Sequence, residues 1–285
     1  MEKMNRISTW KEWRVLSRQY RIILFRDVKN LSVMLAFPAI ASLITIWIAG
    51  ENMYVHYEGT KSACFVLVSA AIWGGLFNSI QSVVKERGII KREYIAGLRL
   101  RCYVASRAII QFVLCAVQSA TLCTSFWGVK LQYENLLPER GILFGNALIE
   151  YYISILLLMY AADAMGLMIS CIVKKTETAN VMAPYILIVQ LIFSGILFTM
   201  KGSAEKLSYL MLSRWGMEAL GSTSDLNNLQ LKIQLEIPTI GHAAEDMFSH
   251  TTDHLYQVWG ILVAFILVFV ILGNLLLHRV SKDTR

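Results

Sequence analysis

Long stretches without a formal charge constrain this chain more than any other feature. Residues 31–50, 62–84, 180–200 and 257–278 contain no Asp, Glu, Lys or Arg. Residues 103–128 contain only Arg107, and residues 144–173 only Glu150 and Asp163. A run of about 20 apolar residues has the length of a helix that crosses a bilayer. Strands of a membrane barrel would instead show about ten residues of alternating polarity. A helix also satisfies its own backbone amides, which hydrocarbon demands. The six runs therefore predict an all-α membrane protein with six transmembrane helices. Composition agrees, because 16% of residues are charged against about 25% in an ordinary soluble domain.

Lys and Arg set the orientation. Residues 1–30, 85–107, 174–175 and 279–285 carry 20 of the 27 cations, and the alternating segments 51–61, 129–140 and 201–256 carry seven. The positive-inside rule then places both termini in the cytosol. The three outer segments hold eleven Asp and Glu, so the net charge of +7 belongs to the inner face. It points to anionic lipid headgroups as a partner; no nucleic-acid-binding motif is present.

Four parts follow. Residues 1–30 form a cytosolic amphipathic helix: Trp10, Trp13, Leu16, Tyr20 and Ile23 recur at helical spacing, with Lys11, Arg14, Arg18 and Arg21 between them. Such a helix lies in the interface or packs on a soluble partner. These residues lack a compact apolar segment with a small-residue cleavage site, so the first span is expected to direct insertion. Residues 31–280 form the membrane domain. Within it, residues 201–256 make a long outer loop between spans five and six; Trp215, Met217, Leu220, Leu229, Leu231, Ile233 and Ile237 predict a folded cap with a short re-entrant helix. Residues 281–285 are a cytosolic tail.

Little points to catalysis. The sequence has no P-loop and no HExxH, and no serine, histidine and acid constellation. Cys64, Cys102, Cys115, Cys123 and Cys171 lack metal-ligand spacing and read as small apolar packers. His250 and His254 stand four apart near His242, Asp246 and Asp253; the spacing suits a metal if they share a helix, but a solvated loop is the expected reading, so no metal site is assigned. Arg107, Glu150 and Asp163 are costly within hydrocarbon and are expected to form an intramembrane polar network facing protein. An Arg107–Asp163 pair lies within side-chain reach, either to hold helix register or to act as a relay.

Between spans two and three lies a charged hairpin, residues 85–98 (KERGIIKREYIAGL). Lys85, Glu86, Arg87, Lys91, Arg92 and Glu93 mix both signs, whereas Ile89, Ile90, Tyr94 and Ile95 would form one apolar edge of a helix. A short amphipathic helix suits docking into a groove on a soluble subunit.

Residues 71–111 (AIWGGLFNSIQSVVKERGIIKREYIAGLRLRCYVASRAIIQ) resemble the second span, coupling helix and third span of ABC type-2 permeases, G-subfamily exporters above all. Glu86-Arg87, Arg92-Glu93, Gly97-Leu98 and Tyr103 carry the likeness. Phe25-Arg26-Asp27, Gly166-Leu167-Met168-Ile169-Ser170, Pro184, Phe193-Ser194-Gly195-Ile196-Leu197 and Ser213-Arg214-Trp215-Gly216-Met217-Glu218-Ala219-Leu220 extend it. The whole is most similar to the membrane part of bacterial proteins that carry a forkhead-associated domain and an ABC ATPase ahead of this region.

The resemblance implies a dimeric export pathway in the bacterial plasma membrane, with ATP and Mg bound by a partner ATPase and no cofactor on this chain. The ATPase would be a separate polypeptide or a part outside this sequence. The partners would be that ATPase, a second permease copy (identical or a sister chain) and membrane lipid. Residues 85–97 would be the coupling helix, with Lys85, Glu86, Arg87, Lys91, Arg92, Glu93 and Tyr94 as its site. Ile196 and Leu197 would form a hydrophobic valve, and Ile188 and Leu191 would line the cavity below it. The clamping phenylalanine of multidrug members has no counterpart. Its place falls at Trp73-Gly74-Gly75, so Trp73 joins the cavity-lining set and a pocket for flat aromatic drugs does not follow. Two further readings are a non-transporting membrane scaffold or sensor and, less favoured, a lipid-modifying enzyme.

Overall fold

The computed structural model describes residues 8–49, 53–132, 141–198, 201–229 and 244–278. The expected ends of the chain, the tip of span five at 199–200 and residues 230–243 of the cap, with Leu231, Ile233, Ile237 and His242, lie outside the described residues. Helices account for the elements: α1 (Thr9–Arg26), α2 (Val28–Ala49), α3 (Tyr57–Ser79), α4 (Arg87–Ile95), α5 (Leu100–Gln132), α6 (Ala147–Ile172), α7 (Thr176–Ile192), α8 (Ser203–Ser208), α9 (Leu212–Thr223) and α10 (Thr252–Leu277).

Among the described residues, five helical stretches are long and apolar enough to cross a membrane, those holding α2, α3, α5, α6 and α10. The fifth expected span, 180–200, corresponds to α7, which has 17 residues. At 1.5 Å per residue that is about 26 Å, short of a hydrocarbon core of about 30 Å. The helix stops because Phe193 and Ser194 turn and Gly195 takes φ +82°, a conformation that only glycine adopts without strain.

α6 organises the bundle. It is apolar all round and buried on most sides, with α3, α5, α9 and α10 packed about it. The closest approach is between α3 and α6. A Cβ on Gly75 would stand 2.1 Å from the Met159 carbonyl oxygen, and one on Gly166 would stand 2.6 Å from that of Leu76. Small residues in membrane helices permit such backbone contact. α10 packs one stripe on α6 (Leu255, Val258, Leu262, Ile266) and leaves Val263, Leu267 and Ile271 exposed. α2 is likewise mostly exposed and apolar, as a lipid-facing helix is.

Two ends of the expected segments shift for local reasons. α1 and α2 are separated by Asp27 alone, whose carboxylate accepts from the Asn30 amide at 3.2 Å and so starts α2 earlier than 31. α3 begins at Tyr57 rather than 62, where the Thr60 amide donates to the His56 carbonyl at 3.0 Å, and Lys61 in its next turn pairs with Glu245 at 3.2 Å. Part of the segment 201–256 is described. α9 is buried along its length, and the 3-10 turn Asp246–Phe248 packs beside it.

Candidate functional site

The charged hairpin folds as a 3-10 turn, Val84–Glu86, followed by α4. α4 ends as a Schellman motif: Gly97 at φ +107° donates to the Tyr94 carbonyl at 3.0 Å, and Leu98 donates to that of Glu93 at 2.9 Å. The expected single apolar edge is divided between two faces. Ile90 is buried against Val83, Leu100, Val104 and Leu167, with Tyr94 packed on the same cluster. Ile89 and Ile95 point away, 46% and 78% exposed. With Arg92, also exposed, they make an outward stripe at intervals of three residues, whereas Lys85 is exposed at the wall of the cleft between α1, α2 and α3.

The inward side is fastened to the bundle at several points. Along α6, the Ser79 hydroxyl donates to Asp163 Oδ1 at 2.5 Å, and the Val83 and Val84 amides donate to Ser170 Oγ at 3.0 and 3.1 Å. Arg87 then donates to the carbonyls of Cys171 and Val173 at 3.2 and 2.9 Å, capping the last turn of α6 with a cation where the helix dipole favours one. Toward α5, Glu86 accepts from the Tyr103 hydroxyl at 3.0 Å and pairs with Arg107. The Arg107 guanidinium lies over the Tyr20 ring of α1, 3.7 Å from its centroid. Burial pushes the Tyr20 phenol up to about 12, against the opposing pull of Arg107, so it stays neutral and accepts from Gln111 Nε2 at 2.8 Å. Glu12 of α1 accepts from the Arg99 amide at 2.7 Å at the start of α5. Of the other expected coupling residues, Lys91, Glu93 and Tyr94 are partly exposed on the flanks of α4.

Arg107, Glu150 and Asp163 do not come together. Arg107 takes Glu86, as above, and Asp163 takes Ser79. Seven residues from the start of α5 and nine from the end of α6, Arg107 and Asp163 lie toward the same end of the bundle, but each takes a different partner. Glu150 sits in the first turn of α6 and accepts from the amides of Ile142, Leu143 and Phe144 at 2.9, 2.6 and 2.9 Å. It thereby holds the connection that enters the helix, and Gly141 is required there because a Cβ would meet the Glu150 carboxylate.

The expected cavity residues also separate. Trp73 lines a cleft of about 420 Å³ between α1, α2 and α3, whose wall includes Tyr20, Glu86 and Arg107. Ile188 and Leu191 are on α7, Ile188 in an exposed apolar stripe with Val181, Tyr185 and Ile192. Ile196 and Leu197 occupy the bend after α7; Ile196 packs on the core and Leu197 is exposed.

His250 and His254 turn to backbone. His250 Nδ1 is 2.7 Å from the Ser222 carbonyl, and His254 Nε2 is 3.2 Å from that of Met247. Among the described residues no group of three His, Cys, Asp or Glu could hold a metal. Sequence reasoning missed the polar cluster beside them. Arg214 donates to Glu218 at 2.9 Å and covers Tyr209 at 3.9 Å, while Gln190 of α7 accepts from the Ser213 amide at 3.1 Å. The i, i+4 spacing of Arg214 and Glu218 was the available signal.

Comparison with known proteins supplies a frame for these features. The family model described as ABC-2 type transporter matches residues 5–223. An ABC transporter ATP-binding/permease protein of Mycobacterium tuberculosis is 24% identical over 272 residues, which cover 92% of this chain and 30% of that protein. The chain thus spans under a third of the length of that relative.

Proposed function

The chain belongs to the ABC-2 type transporter family, and from that premise we propose that it is the permease of an ATP-driven exporter whose coupling element is the hairpin of residues 85–97. One observation carries the reading. The hairpin is fastened on its inner side to α5 and α6, and through Arg107 to Tyr20 of α1, yet presents Ile89, Arg92 and Ile95 outward. A face that sets two apolar side chains about a cation fits a groove on a soluble subunit, and the partner is an ABC ATPase. The Mycobacterium relative carries an ATP-binding part by its name, which agrees with an ATPase that works beside this membrane domain.

In this reading the ATPases close on ATP and push the two hairpins. Because each hairpin is tied to three helices, the push moves them as a rigid group. A second permease copy packs against the exposed stripe of α7, and the pathway lies between the copies. Ile196 and Leu197, in the bend after α7, form an apolar constriction that excludes water and ions until it is forced open. Both termini and the hairpin are cytosolic, and the membrane is the bacterial plasma membrane.

The test is the double variant I89D/I95D in the complete complex. Both side chains are exposed, so the fold is expected to survive. Coupling requires that the variant lose ATPase association and ATP-driven efflux from proteoliposomes. Unchanged association and unchanged efflux would refute the assignment. A membrane scaffold would keep the association but show no ATP-driven efflux even in the parent protein.

A further inference from the structure

We propose that the cleft between α1, α2 and α3 is a binding site for a single zwitterionic phospholipid, its ammonium-bearing head at the hairpin end and one acyl chain running toward Trp73. At about 420 Å³ the cleft falls in the size range of small-molecule sites. Its polarity is graded along the bundle. Asp27, Lys85 and Glu86 stand at one end, and Met34, Phe37, Trp73 and Phe77 line the other. From Asp27 to Phe37 is ten residues, about 15 Å of helix, a length that suits a chain segment beneath a headgroup.

The apolar end is shaped rather than merely open. α3 is buried over most of its length, yet Trp73 is 42% exposed and faces this cleft, with Phe77 stacked beside it at 5.9 Å. The back wall is already satisfied. Asn78 donates to Gln118 at 2.6 Å, and Gln118 donates to the Met34 carbonyl at 2.9 Å. An acyl chain along it therefore strands no polar group.

The charged end selects the head. Glu86 and Arg107 engage each other, so neither is presented to a ligand. Asp27 and Lys85 are exposed at the mouth and opposite in sign. A phosphate on Lys85 and a primary ammonium on Asp27 match them. The occupant would also touch Tyr20, which carries the Arg107 contact, and so would bear on the fastening of the hairpin. The site rests on the permease reading only in assigning its mouth to the inner leaflet; binding itself needs no ATPase.

The experiment uses the complete complex in nanodiscs containing a trace of phosphatidylethanolamine with a photoreactive acyl chain, followed by peptide mass mapping. Adducts are expected at residues 31–37 of α2 and 73–77 of α3, competed better by unlabelled phosphatidylethanolamine than by phosphatidylglycerol. Gly74 lines the cleft, and a Cβ there makes only ordinary contacts, 3.6 Å to Met159 and 3.9 Å to Phe37; Gly74→Leu is expected to fill the site and abolish those adducts. Lys85→Glu, an exposed change that spares the core, is expected to lower them about tenfold, the worth of one charge-assisted contact. Labelling spread equally over exposed α10 and indifferent to both variants would reduce the cleft to ordinary annular lipid and overturn the proposal. Capture of a second copy of the chain at Trp73 would do the same. Loss of ATP-driven efflux in I89D/I95D with labelling intact would support both the coupling face and the lipid site, since the two then fail separately.

Discussion

Replacing Arg107 with Met should reveal how firmly the hairpin is held to the bundle. The Arg107 side chain is 6% exposed and that of Glu86 is 23% exposed. Removing one partner of a buried pair generally costs about 3–5 kcal/mol, because the other charge is stranded. Glu86 retains some access to water and keeps the Tyr103 hydroxyl, so the lower end applies, about 3 kcal/mol. Met preserves the aliphatic stem, so this figure measures the lost pair and the lost cation over Tyr20 rather than a cavity. Glu86→Gln leaves an acceptor for both Arg107 and Tyr103 and should cost less, about 2 kcal/mol. In the double variant the two losses overlap, and a coupling energy of about 1–2 kcal/mol is expected from the cycle. The assay is denaturant unfolding of the detergent-solubilised protein at low and high salt, followed by tryptophan fluorescence. Salt should change the coupling little, since the pair is shielded from solvent. Strict additivity of the two single changes, or a coupling that vanishes in salt, would refute the reasoning.

Three further outcomes follow from named contacts. Gly75→Ala should destabilise by about 2–3 kcal/mol, because its Cβ meets backbone, whereas Gly74→Ala, one residue away, should be neutral or slightly stabilising; equal thermal midpoints would show that α3 and α6 are less close than they stand here. Glu150→Ala should cost about 3 kcal/mol by stranding three amides and should expose the 141–144 connection to proteolysis, with Glu150→Gln intermediate. Asp163→Asn keeps an acceptor for the Ser79 hydroxyl, so folding and efflux should both persist, and Asp163→Leu should lose stability; a well-folded Asn variant without efflux would make Asp163 a relay rather than an anchor.

What the sequence could disclose depended on the range of the interactions involved. Spans were legible because run length and charge are properties of single segments, and α2, α3, α5, α6 and α10 need no partner to be recognised. The short fifth helix was less so: Gly195 stood in plain view, but only its backbone angle shows that it ends α7. The hairpin was legible as an amphipathic element, yet its apolar side chains divide between two faces, since Ile90 and Tyr94 turn to α5 and α6 while Ile89 and Ile95 do not. The three buried charges were legible as charges that need partners, and illegible as to which. Arg107 and Glu86 are 21 residues apart but meet because α5 doubles back beside the hairpin. Among the described residues Glu150 pairs with no cation and is satisfied by backbone amides, which no pattern of side chains announces.

Dispersed anchoring has a mechanical meaning that a single network would not. A central Arg107–Asp163 pair would hold α5 to α6 at mid-depth and leave the hairpin to hang from α3. Instead Arg107 is spent at the hairpin, where it joins α1, α5 and the 3-10 turn, while Ser170, Cys171 and Val173 fasten the same turn to α6. In the proposed coupling, a push on Ile89 and Ile95 is delivered through these contacts to α1, α3, α5 and α6 at once. α7 packs on α3 and α9 and meets this group at the 3-10 turn. Being short and ending in a glycine bend, it has less to hold it against its neighbours than any of the five long helices. If motion at the hairpin changes the bundle, α7 and the bend that carries Ile196 and Leu197 are where the relative displacement concentrates. The constriction assigned to those two residues thus stands where the fold is best able to change it.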